Sequence, residues 1–424
     1  MARSDLPTRA LRAANELTAR WVETLPPDQY AVSGACIWPL LALLQAGASG
    51  AALEELTIAT GVSPQVARAA GLAMIGIIDT IREANAALGL WVQDGVRLEQ
   101  KWARKLPDGV VSPLARDPGV ARAALDRWAR DNTDEMINEL PVAVTAETLL
   151  VLATALFTRF SWLEEFRECR MRFRGHDLLG LHATTSDLSR FAIVGEGIAS
   201  VGRFTTVGEG EIDVHLLSGS PDMGSGDVLR AGIDALSGDA TVRTGEELVE
   251  GDTAGCLKVR MIDAVEPVGV VNVPAFEVTS HHDLTASPQI FGITSALDRS
   301  RAHFPGIALN LAVGQAGQTV VARFHRRGFE ATAVTAISVT FGAAPELHPR
   351  VKLVEMMLDR PFGFLAVHRS TRLVLFAGWV TAPAAVIPSP LDDPFAELRP
   401  VDPILVNWRR QVFDDDRSRR RSST

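Results

Sequence analysis

The apolar positions of this chain change period about a third of the way along. From residue 7 to 84 they step by three or four. LRAANELTARWVETL carries Leu11, Ala14, Leu17, Trp21 and Leu25, one stripe of an amphipathic helix. ACIWPLLALLQAGASGAALEEL and PQVARAAGLAMIGIIDTIREANAAL continue with helical spacing, and GVARAALDRWARDNTDEMINEL predicts another helix. After residue 149 the runs shorten and turn β-like. LLVLATALFTRF, GRFTTVGEGEIDVHLLSG, CLKVRMIDAV, GVVNVPAFEVTS, QTVVARFHRR, FGFLAVHR and RLVLFAGWVTAP predict strands, with brief helical matter near DLTASPQIFGI. Helices first and strands later predict an α+β fold rather than a doubly wound α/β fold.

One strand-like stretch has no evident partner. GFEATAVTAISVTFGAAP, Gly328 to Pro345, alternates from Phe329 to Phe341, but a Gly-Ala-Ala-Pro break follows and small residues stand where a core strand carries bulk.

Composition narrows the functional classes. The chain has 424 residues, 47% hydrophobic and 22% charged, as in ordinary soluble globular proteins. A formal charge of −9 argues against a general nucleic-acid binder, and the terminal RSRRR is expected to be a solvated basic tail rather than a contact to an acidic surface. No run of eighteen apolar residues predicts a membrane span, and the N-terminus lacks the apolar core of a signal peptide. A cytoplasmic location is expected, with export by another route left open. Cys36, Cys169 and Cys256 form neither a disulfide framework nor a metal-ligand spacing.

Candidate chemistry is sparse. GSPDMGSGD is glycine-rich but lacks a Gly-Lys-Ser/Thr ending, so it predicts a loop and not a phosphate cradle. His281, His282 and Asp283 are adjacent; neighbours point in different directions, so a loop or helix start capped by Asp283 is expected in place of a metal site. Ser33-Gly34 lacks the Gly-x-Ser-x-Gly frame of a hydrolase. Neither an enzyme nor a cofactor is indicated.

Several segments, in order, resemble the serpin family of serine-protease inhibitors. VSGACIWPLLALLQAGASGAALEEL is similar to the family's Ser-Pro-x-Ser-Ile helix, with its turn at Gly47 to Gly50. NTDEMINELPVAV followed by LLVLATALFTRFSWLEEF resembles the strand that ends in an aromatic, a basic residue and a tryptophan, here Trp162. VVNVPAFEVTSHHDLTASPQIFGITSALD resembles the Leu-Pro-x-Phe strand and the helix after it, AHFPGIA the Asp-Phe-Ser-Gly-Ile segment, and RPFGFLAVHRSTRLVLFAGWVTAP the closing strand pair. The resemblance implies one domain over residues 8–383, with N-terminal helices on a large mixed sheet and two smaller sheets. It implies an exposed reactive-loop region at 328–358. Residues 384–424 would be a partly ordered extension.

In serpins an exposed loop is bait for a protease and, once cut, inserts as a new strand in the main sheet. GFEATAVTAISVT is similar to the hinge Glu-Gly-Thr-Glu-Ala-Ala-Ala-Ala-Thr, which implies a hinge of Gly328, Phe329, Glu330, Ala331, Thr332, Ala333, Val334 and Thr335. Family spacing puts the scissile bond near Phe341, Gly342 and Ala343. The implied partner is a serine or cysteine protease, engaged by a monomer without cofactor.

Three departures stand against this. Phe329 occupies a position where inhibitory members have a small residue. As the first side chain to enter the sheet it is expected to overpack, at about 1–3 kcal/mol, against on the order of 10 kcal/mol gained from the new ladder of residues 329–341. Where the sheet parts, the family's serine, asparagine and histidine are matched by Cys36, Thr154 and Gln318, which means either a replacement network or a lost switch. The run from Gly342 to Leu358 is also several residues longer than usual, leaving Arg350 outside the expected window. The alternative to inhibition is a serpin-fold binding or scaffold protein.

Overall fold

A computed structural model describes residues 6–329, except 108 and 134, and 349–384; the side chains of 85–87, 155 and 157 are also outside the described set. The helical periodicity near the N-terminus gives helices at Leu6–Val22, Gly34–Gln45, Gly50–Thr60 and Pro64–Thr80. Gly34–Gln45 is buried along its whole length, as its unbroken apolar composition requires, and Ser33 caps it by accepting from the Cys36 N–H.

Pro64–Thr80 stops eight residues short of the expected helix. Ala84–Gln93 is instead a strand, antiparallel to Leu150–Thr158 from Ala84↔Thr158 to Val92↔Leu150. The alanine-rich segment has helical propensity, but nine consecutive pairings outweigh it. Another helix runs over Pro118–Asn132, with Asp117 accepting from the Val120 N–H at 2.9 Å, and ends short of Leu140, the expected last residue.

Three sheets follow, in keeping with the α+β expectation. In the main sheet Val111–Leu114, Ala84–Gln93, Leu150–Thr158, Gln315–His325 and Phe276–Asp283 lie side by side. The second sheet is antiparallel: Tyr30–Val32, Leu373–Val380, Phe362–His368, Ile212–Ser218, Val201–Val207, Phe191–Val194 and Val242–Thr244. Its Phe362–His368 and Leu373–Val380 strands are buried throughout, with Leu6–Val22 and Ser225–Ser237 packed beside them. The third sheet orders Thr253–Ala254, Leu257–Asp263, Arg350–Met357, Val268–Val273, His176–Thr185 and Arg167–Phe173.

Some expected strands resolve differently. GRFTTVGEGEIDVHLLSG is a hairpin, and GVVNVPAFEVTS is two strands in different sheets, broken at Pro274-Ala275. The glycine-rich GSPDMGSGD is a turn, as expected, but it runs into the Ser225–Ser237 helix, whose periodicity sequence reading missed. His281–Asp283 ends a strand rather than lying in a loop, although Asp283 does cap the next turn through the Thr285 N–H at 2.9 Å. Among the described residues no single helix is long and apolar enough to cross a membrane, and no group of three His, Cys, Asp or Glu is placed to hold a metal.

Candidate functional site: the seam of the main sheet

Leu150–Thr158 and Gln315–His325 run parallel and pair from Val151↔Gln315 to Leu156↔Val320. Beyond that point they separate. The chain turns at Arg326-Arg327 and comes back as a two-residue strand, Gly328–Phe329, inside the gap. It is antiparallel to Phe324–His325 on one side and to Phe160–Ser161 on the other. Trp162 closes the turn: its backbone N–H donates to the Arg327 carbonyl at 2.9 Å and its indole N–H to the His325 carbonyl at 2.8 Å.

The Phe329 ring is 1% exposed. It stacks on Phe160 with centroids 5.6 Å apart and a 12° interplanar angle; Trp162, Phe364 and Phe376 complete the surroundings at 6.3 to 6.5 Å. This overturns the expectation that Phe329 must force its way in. In the continuous chain it already occupies the sheet, in a site built from aromatic side chains. Overpacking arises where no space is provided, and here matched rings provide it. Glu330, Ala331, Thr332, Ala333, Val334, Thr335, Phe341, Gly342 and Ala343 lie outside the described residues.

Where the strands still touch, Gln318 and Thr154 are register partners, at most 1% exposed. The Gln318 amide donates to Thr154 Oγ1 at 3.2 Å and to the Ser33 carbonyl at 2.9 Å, while its Oε1 accepts from the Ser33 N–H at 2.8 Å. Two residues earlier, the Ala31 N–H donates to Ser280 Oγ at 2.8 Å, and His282 Nε2, as its N–H tautomer, donates to the Ala31 carbonyl at 2.9 Å. Tyr30–Val32 is an edge strand of the second sheet. Its outer backbone groups are thus satisfied by three main-sheet side chains that mimic a partner strand.

Of the expected trio, Thr154 and Gln318 belong to this replacement network. Cys36 does so only through its backbone, donating to Ser33 Oγ at 3.3 Å. Burial pushes its thiol up to about 12, with Ser33 partly offsetting, so it is a neutral group unfit as a nucleophile.

Sequence reading weighed Ser33 only as a hydrolase serine and His282 only as a metal ligand, and it missed Ser280. The two-residue spacing of Ser280 and His282 puts them on one strand face, and Ser33 stands where an N-cap belongs. His281 faces the other way, within 3.1 Å of Thr319 Oγ1. Burial holds His282 below the ordinary imidazole range, against the pull of the Ala31 carbonyl; His325, register partner of Gly328, is lowered by burial against the nearby Glu277.

The family model for Serpin (serine protease inhibitor) matches residues 10–175 and 249–383. The chain belongs to the serpin family. A putative serpin-Z5 of Oryza sativa subsp. japonica is 24% identical over 399 residues, 89% of either chain. Among solved structures, Serpin48 of the insect Tenebrio molitor has a TM-score of 0.66 at 18% identity, covering 91% of this chain and 100% of its own. Human thyroxine-binding globulin in complex with thyroxine has a TM-score of 0.67 at 16% identity, covering 89% and 99%.

On the far side of residues 330–348 this serpin's chain resumes as an interior strand. Arg350–Met357 pairs antiparallel with Leu257–Asp263 over seven positions and parallel with Val268–Asn272 over five. Arg260 pairs with the buried Glu355, and the Lys352 ammonium donates to the Gly245 and Glu246 carbonyls at 3.0 and 2.8 Å.

Proposed function

We propose that this serpin inhibits a serine or cysteine protease: the protease cuts the segment after Phe329, is trapped as a covalent complex, and the freed segment inserts into the seam. The observation that carries this reading is the Gly328–Phe329 strand already hydrogen-bonded between the parting strands. Insertion then extends an existing strand, residue by residue, rather than starting one. Twelve further residues, 330–341, add ladder bonds at about 0.5–1.5 kcal/mol each, on the order of 10 kcal/mol in all. Against this stands the parting of the Val151–Leu156 and Gln315–Val320 pairs, whose backbone bonds are re-formed with the new strand, and the loss of the Gln318–Thr154 hydrogen bond. Phe341, in the proposed bond region with Gly342 and Ala343, suits a chymotrypsin-like pocket.

The second reading, a non-inhibitory binding or scaffold protein, draws on the aromatic site around Phe329, which satisfies the hinge where it stands. The likeness to thyroxine-binding globulin adds that this fold is compatible with ligand binding. Nicking the chain between Val339 and Arg350 separates the two. Inhibition predicts a large rise in melting temperature after nicking and an SDS-stable complex with a chymotrypsin-like protease. Cleavage with neither outcome supports the binding protein.

A further inference from the structure

Pro64, Arg68, Ala69 and Leu72 fall at helical spacing, on one face of the Pro64–Thr80 helix. The neighbouring face, with Ala67, Ala70, Gly71 and Met74, is buried on Gly34–Gln45, where a Cβ on Gly71 would come within 3.1 Å of the Pro39 carbonyl oxygen. The first face instead lines an open cleft of about 590 Å³, closed by Ala46 at the end of Gly34–Gln45 and by Lys105. Lys105 follows the short helix Gln100–Ala103, whose buried Trp102 donates its indole N–H to the Leu43 carbonyl at 3.2 Å. Two cations thus enter one cleft from separate, fixed elements. No carboxylate lines it, although the chain as a whole carries a formal charge of −9. Arg68 Nε is buried with no hydrogen-bond acceptor among the described residues, and a buried guanidinium N–H left unpaired is costly. Around the charges Ala46, Pro64, Ala69 and Leu72 supply apolar walls.

We infer that this cleft binds a small amphipathic anion, with a carboxylate or sulfonate head between Arg68 and Lys105 and an apolar body against those four side chains. Arginine meets such a head as a planar fork and lysine as a point charge. The volume lies in the range that small-molecule sites occupy. A bare inorganic anion would satisfy the cations and leave the walls unused. The inference does not depend on inhibition. Its consequence is mechanical. Pro64–Thr80 precedes the main-sheet strand Ala84–Gln93 and Gln100–Ala103 follows it, so a ligand joining Arg68 to Lys105 ties together the segments on either side of that strand.

Fluorescence titration of the full-length protein with anilinonaphthalene sulfonate, an anion with an aromatic body, tests it. Saturable binding is expected, displaced by decanoate. Arg68→Gln is expected to weaken it at least tenfold and Lys105→Gln several-fold, with Arg68→Lys recovering part of the loss. Ala69→Trp, which keeps both cations and fills the cleft, should abolish it. Arg104→Gln, outside the cleft lining, should leave it unchanged. Equal affinity in wild type, Lys105→Gln and Ala69→Trp overturns the inference, and so does an equal loss in Arg104→Gln, which would reflect charge alone. Displacement by inorganic sulfate as effective as by decanoate would leave the apolar walls without a role and overturns it too. If Arg68→Gln lowers the denaturation midpoint, Lys105→Gln and Ala69→Trp, both at exposed positions, decide.

Discussion

The chain is held on the two sides of residues 330–348 by opposite means. Gly328–Phe329 is two residues long, and its phenyl ring is packed among aromatic side chains. Arg350–Met357 is eight residues long, zipped to a partner on each edge, and its side chains add an ion pair and a lysine clamp. Burial of a ring is non-directional and leaves the strand free to lengthen. A double ladder is directional, and displacing it breaks many bonds together. Under the proposed function this asymmetry makes cleavage the release: the near anchor can grow into the seam only when the far anchor no longer has to follow.

The sharpest way to break this comparison is at the ring. Phe329→Ala is expected to cost about 3–5 kcal/mol in chemical denaturation, the range for emptying a large aromatic site. Amide exchange should accelerate at Gly328 and Phe329 while staying unchanged at 350–357. Phe329→Thr should act in the same direction and free the hinge rather than relieve a clash. A loss under about 1 kcal/mol with either substitution would mean that the backbone pairs, not the ring, hold the near anchor.

Gln318→Leu tests whether the seam below depends on side-chain capping. It orphans the buried Ser33 N–H, at about 1–3 kcal/mol. Exchange should rise at Ser33 and in the first turn of Gly34–Gln45. An unchanged denaturation midpoint would mean that water or another side chain satisfies that group.

At the far anchor, Glu355→Gln is expected to cost about 1–2 kcal/mol, since Arg260 is partly exposed and the ladder survives. The contrast with Phe329→Ala is the informative quantity: one side chain removed should loosen the near anchor and not the far one. Faster exchange along Arg350–Met357 in this variant would reverse the assignment.

The smallest effect should come from acid. Burial holds His282 and His325 below the ordinary value of 6.5 in the folded chain, so the unfolded chain takes up protons first. Their contribution to stability is complete above about pH 6.5 and declines as pH falls below it toward the folded-state values. No histidine is in register with Arg350–Met357. Exchange at Gly328–Phe329 should therefore rise between pH 7 and 5 with little change at 350–357, and His325→Gln should flatten the response.

Periodicity alone determined that helices precede strands, and the run of segments from VSGACIW to LFAGWV carried the family resemblance along most of the chain. Alternation marked the stretch after Gly328 as strand-like, while only the family resemblance singled out Cys36, Thr154 and Gln318. These are local signals, because side-chain direction follows from residue spacing within one element. What the tertiary structure decided are the meetings of elements distant in sequence. Ala84–Gln93 became a strand because Leu150–Thr158 was there to pair with it. Phe329 became an anchor because Phe160, Phe364 and Phe376 surround its ring. Gln318 became a clamp because Ser33, 285 residues away, presents a backbone N–H and carbonyl that no strand reaches. Spacing reports which way a side chain points; only packing decides what it meets there, and the free energy of a buried ring or amide depends on the partner it finds.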